Sequence, residues 1–167
     1  MSPSLASQDP LHSALLERIE ACYRQAEKTL NRHFPRPAVS LRMRGQSAGA
    51  AHLQENRLRF NPVLLAENPD AFLTEVVPHE VAHLLVWHCY GKVAPHGPQW
   101  QAMMRQVFGL EPRTRHRFDV ASVAPKTFAY RCQCRDHQLT VRRHNKVQRQ
   151  QTRYLCRACG AALQLSE

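Results

Sequence analysis

His79-Glu80-Val81-Ala82-His83 places two imidazoles four residues apart with a carboxylate next to the first. On an α-helix four residues turn through about 40° net and climb about 6 Å, so both rings leave one face and can share an ion. Zinc suits such a pair, because neutral imidazole nitrogens bind it and a catalytic site keeps one coordination position for water. Glu80 would stand beside that water as general base. The surrounding residues, Val81, Ala82, Leu84, Leu85, Val86 and Trp87, are those of a buried helix, in which a charge without a partner is costly. A bound cation would supply the partner.

Such a site needs a third ligand. His88 lies five residues beyond His83 and points elsewhere on the helix. His96 follows the helix-breaking Gly91 and precedes Gly97-Pro98, which would fix its direction at the start of the next helix. It is the favoured candidate, with Glu111 and His116 as rivals. The metzincin pattern requires Gly at 86 and His at 89, where this chain has Val86 and Cys89, so that class is excluded. His12, His33 and His52 have no partner at ligand spacing and read as surface or structural residues.

A second cluster lies near the C-terminus. Cys132, Cys134 and His137 form a CxCxxH knuckle, and Cys156 and Cys159 a CxxCG knuckle, about twenty residues apart. This is the layout of a zinc ribbon, in which four ligands hold together a unit too small to be stable by burial alone. Five donors compete for four positions, and spacing does not choose between Cys134 and His137. A redox role for Cys156 and Cys159 would want a thioredoxin-like βαβ context, which the sequence lacks.

The elements that must position these groups can be read from periodicity. Leu15, Ile19, Cys22, Tyr23, Ala26 and Leu30 recur at helical spacing within residues 11–33. Residues 38–62 alternate apolar and polar around Val39, Leu41 and Met43 and again around Leu58 and Phe60, as two or three strands would. A short helix follows Asn61-Pro62, and Asn68-Pro69-Asp70 opens a longer one. Pro78 either kinks this helix or starts a new one over residues 79–89. Residues 96–108 form a further helix candidate. Between the knuckles, residues 139–155 read as a basic hairpin carrying Arg142, Arg143, Lys146, Arg149 and Arg153, with Tyr130 and Tyr154 available to stack on bases. His144-Asn145-Lys146 is too short a pattern to argue for a nuclease.

Composition fits one α+β domain with a small appendage: 167 residues, 43% hydrophobic, formal charge +10. The change in composition at residues 120–127 divides a core, 1–125, from a ribbon, 126–167. The ribbon carries nine of the 23 Lys+Arg but two of the 13 Asp+Glu, which favours a polyanionic partner. MSPSLASQDP is unlike a leader and no stretch has the length of a membrane span, so a cytoplasmic protein without a membrane partner is expected. In that reducing setting cysteines serve better as metal ligands than as disulfides.

RGQSAG (44–49), RLRFNPVLLAEN (57–68), VVPHEVAHLLVW (76–87), APHGPQW (94–100) and HRFDV (116–120) together resemble the SprT family, whose eukaryotic relatives include the DNA-dependent protease Spartan. YRCQCRDHQLTVRRHN followed by YLCRACGAAL resembles that family's C-terminal ribbon. The resemblance implies a minimal zincin core of helices packed on a small sheet. It implies His79, His83 and His96 as zinc ligands and Glu80 as the catalytic glutamate.

Two functions are expected to compete. One is a zinc metalloprotease, with one catalytic and one structural Zn²⁺, that hydrolyses nucleic-acid-associated proteins, DNA being the favoured nucleic acid. Its substrate backbone would add as a strand along a sheet edge near Arg57 to Phe60. The other is a non-catalytic DNA-binding regulatory protein whose zinc only stabilises the fold.

Overall fold

The computed structural model describes residues 9–166; the stretch read as unlike a leader lies almost wholly outside them. The chain divides after Val123 into two compact units. In the first, α1 (Pro10–Leu30) is capped by Asp9, whose carboxylate accepts from the Leu11 amide, and ends at Asn31 in the left-handed conformation. Leu15, Ile19, Cys22, Tyr23 and Ala26 are its buried stripe. Leu30, in the last turn, is exposed.

Three short strands follow: β1 (Ala38–Ser40), β2 (Gly49–His52) and β3 (Arg57–Phe60). Their order is β1-β3-β2, with β1 parallel and β2 antiparallel to β3. Leu58 and Phe60 point into the core, as the alternation predicts. Leu41 and Met43 fall outside β1. The expected substrate edge at Arg57 to Phe60 is corrected: β3 is the central strand, its backbone groups used on both sides, and the edges are β1 and β2.

Asn61 joins the sheet to α2 (Pro62–Glu67) and is 1% exposed. Its Oδ1 accepts from the amides of Val63 and Leu64, while its Nδ2 donates to the carbonyls of Gly45 and Ser47 at 2.7 and 3.2 Å. Asn61→Asp keeps the cap but turns a donor into an acceptor facing two carbonyls. A loss of about 1–3 kcal/mol is expected, read as a lower urea midpoint at unchanged slope.

From Pro69 the backbone is helical to Tyr90: α3 (Pro69–Ala71), a π-helical turn (Phe72–Val76), then α4 (Val77–Tyr90). Pro78 falls in the first turn of α4, as the second of the two readings has it, directly after the π-helical turn and with helical backbone running on through Val76 and Val77. The Val77 amide donates five residues back, to Phe72. At that spacing the carbonyl of Leu73 faces Pro78, which has no N–H, and Arg18 of α1 supplies the missing donor at 3.0 Å. After Gly91 the chain turns into α5 (Pro98–Gln106). The core is formed by α1, the inner face of the sheet, α4 and α5, with Leu15, Tyr23, Phe60, Phe72, Leu84, Leu85 and Trp100 fully buried.

The second unit holds β4 (Thr127–Arg131), β5 (Asp136–Thr140), α6 (Val141–Gln148) and β6 (Gln164–Leu165), in the sheet order β5-β4-β6. Here the expected hairpin is replaced by a helix. Thr140 ends β5 and caps α6 by accepting from the Arg143 amide, and Arg142, Arg143, Lys146 and Gln148 in the run that follows are good helix formers. His144 of α6 stacks on Phe128 of β4 with ring centroids 3.6 Å apart. Tyr130 is fully buried, its hydroxyl bonded to His144 Nδ1, and Tyr154 lies under the Arg143 guanidinium. Tyr130 is therefore not free to stack on a base, while Tyr154 is half-buried.

Candidate metal centres

α4 brings His79 and His83 to one face, and the chain preceding α5 brings His96 to them. His79 Nε2 lies 3.2 Å from His83 Nε2 and 3.3 Å from His96 Nε2. Donors about 2.0–2.1 Å from one tetrahedral centre are about 3.3–3.4 Å apart, so these two edges match those of a zinc tetrahedron, and all three ligand atoms lie within 4.8 Å of one another. Burial pushes His79 down to about 4, with His96 adding to the effect, and pushes His83 down to about 3. Burial also lowers His96. All three are therefore neutral donors at pH 7, as ligation requires.

The surroundings hold the rings in place. His79 Nδ1 meets the carbonyl of Arg113 at 3.2 Å, which orients Nε2 towards the shared point. Trp100 packs against all three imidazoles, with centroids at 4.8, 5.5 and 4.7 Å from His79, His83 and His96, and donates its indole N–H to the His79 carbonyl. Gln101 of α5 donates to the His96 carbonyl. The rivals for third ligand go elsewhere: His116 Nε2 bonds the Gln46 carbonyl, and Glu111 is exposed on the rim of the cleft.

Glu80 is 8% exposed, with Oε1 4.0 Å from His79 Nε2. Burial pushes its carboxyl up to about 8. A cation among the imidazoles would hold it ionised, while the apolar surroundings keep its affinity for a proton high. Gly49 of β2 makes room for it. A Cβ at position 49 would come within 2.9 Å of Glu80 Cγ and 3.3 Å of Oε1. The site opens into a cleft of about 1080 Å³ bounded by β2, α4 and the segment 109–120.

In the second unit the sulfurs of Cys132, Cys134, Cys156 and Cys159 all lie within 4.8 Å of one another. Cys134 is 3.5 Å from Cys132 and 3.7 Å from Cys156, close to the edge of about 3.8 Å for a tetrahedron of zinc-bound sulfurs. Backbone N–H groups at Cys159 and Ala158 push the Cys156 thiol down to about 6, and one at Ala161 lowers Cys159, so the second knuckle favours thiolates. His137 stands beside this set, its Nε2 3.2 Å from Cys132 Sγ. Arg142, Arg143, Lys146, Arg149 and Arg153 are all exposed.

The two units thus define an α+β chain in which an HExxH helix faces a third histidine and a separate four-cysteine ribbon follows. Residues 19–116 match the SprT-like family and residues 126–167 the SprT-like zinc ribbon domain, so the chain belongs to the SprT-like family. It is 54% identical to Protein SprT of Shewanella oneidensis over 156 residues, 93% of this chain and all of that one. It is 51% identical to Protein SprT of Actinobacillus succinogenes, covering 92% of this chain and 91% of the relative. The Erwinia tasmaniensis Protein SprT is also 51% identical, with coverage of 94% and 92%. No solved structure matches. No helix among the described residues is long and apolar enough to cross a membrane.

Proposed function

We propose that this chain is a zinc-dependent peptidase acting on proteins associated with nucleic acid. His79, His83 and His96 would hold the catalytic ion and the four ribbon cysteines a structural one. The observation that carries the reading is a buried carboxylate, Glu80, beside three convergent imidazoles at the wall of an open cleft. A site that only stabilised the fold would have no use for that carboxylate or for an open corner.

Held by His79, His83 and His96, zinc would supply Lewis acidity to the scissile carbonyl and to the attacking water. Glu80 accepts the proton from the attacking water and returns it to the departing amine. Trp100 and the Arg113 carbonyl keep the imidazoles in place. The substrate backbone would add to β2, the edge strand that carries Gly49 beneath Glu80.

For the nucleic acid, DNA in the first place, α6 offers Arg142 and Lys146 at i and i+4, one exposed face of a short helix, with Arg149 at its C-cap. Replacing all three by Gln is expected to weaken binding to duplex DNA and to reduce the slope of log K against log salt by about 2–3. An unchanged slope in a salt titration would remove this face from the interface.

A further inference from the structure

The ribbon offers five donors where four suffice. The pairing of β4 with β5 sets Tyr130 opposite His137 and Arg131 opposite Asp136, and the Cys132 amide closes the turn on the Arg135 carbonyl. Along β5, His137 shares a face with Leu139, which is buried, so the imidazole points inward at the end of the strand where the sulfurs gather. There its Nε2 lies 3.2 Å from Cys132 Sγ. Cys134 and Cys156 have sulfurs and backbone groups as hydrogen-bond partners and no ring nitrogen.

We infer that His137 is a reserve ligand of the ribbon ion, able to take the coordination position of Cys132 when that sulfur is lost. With the thiolate present, the ring N–H donates to it. Without it, the proton passes through solvent to Nδ1, and the Nε2 lone pair turns to the metal, changing four sulfurs into three sulfurs and a nitrogen. That donor set is a known structural zinc environment. The sulfur whose place would be filled is 3.2 Å from the nitrogen. The ribbon then keeps its ion after damage to Cys132 but not to Cys156.

The inference rests on the cysteines holding a metal, which the sulfur-to-cobalt charge-transfer absorption of the full-length Co²⁺-loaded chain tests separately. If the unaltered protein lacks that absorption, the ribbon assignment itself fails. Given the absorption, Cys132→Ala is expected to retain Co²⁺ with weaker, blue-shifted charge-transfer bands, and adding His137→Ala should then lower metal affinity by more than about 100-fold in chelator competition. His137→Ala alone should cost about tenfold or less. Cys156→Ala should lose the ribbon metal whether or not His137 is present. If Cys132→Ala loses the metal as completely as Cys156→Ala, or if removing His137 from it changes nothing, the inference is overturned.

Discussion

Glu80→Gln is expected to lower peptide-bond cleavage by about 10²–10⁴-fold while zinc content and thermal stability stay near those of the unaltered chain. The amide is close to isosteric with the carboxylate, fits the space above Gly49, and leaves the three imidazoles untouched. On the proposed reading, what it removes is the ability to take a proton from water and deliver it to the amine. The fair substrate is a protein bound to DNA, assayed by gel for fragments, since the ribbon's cations belong to the same reading. Equal cleavage by the two proteins would end the peptidase reading and favour a regulatory protein with structural zinc. Loss of zinc from the variant would instead place Glu80 among the ligands, whereas the cluster of mutually close ligand atoms is His79, His83 and His96 without it.

The second large effect is on metal content. The unaltered chain is expected to hold two zinc ions, the His79→Ala/His83→Ala variant one, and the Cys156→Ser/Cys159→Ser variant one, by elemental analysis after dialysis against a weak chelator. The sites are built from separate residues in separate compact units, so their losses should be independent. The cysteine variant should also lose cooperative folding of the ribbon, because that unit has little core beyond Tyr130, Leu139 and Cys156. The histidine variant should keep its fold, since the first unit has a continuous apolar core. Two ions in every variant, or none in either, would contradict the assignment.

Much of this site was legible because local rules decide it. The four-residue spacing of His79 and His83 has a fixed geometric meaning on a helix, and the Gly91 break followed by Gly97-Pro98 constrained where His96 could turn. The helical stripe of α1 and the alternation at Leu58 and Phe60 were local signals too. What escaped depends on contacts distant in sequence. That β3 is central, and β2 the edge beside Glu80, follows from pairing across the chain. Arg18 completes the Leu73 carbonyl from 55 residues away, and this is what lets Pro78 sit inside a continuous helix. Gly49 and Trp100 lie in stretches that carry the family resemblance, but only the packing shows that one clears space for Glu80 and the other backs the imidazoles. For α6, the local signal is Thr140, whose hydroxyl caps the helix, in a run whose cations alone suggest a partner and not a conformation.

The most direct test of the central claim is the ligand-field spectrum of the Co²⁺-loaded full-length chain, titrated with a small hydroxamate. Three imidazoles with a free corner predict d–d bands that change on hydroxamate binding, vanish in the His79→Ala/His83→Ala variant, and shift independently of the ribbon's sulfur charge-transfer absorption. A spectrum indifferent to saturating hydroxamate, or unchanged by loss of His96, would show that no open metal site of this composition exists.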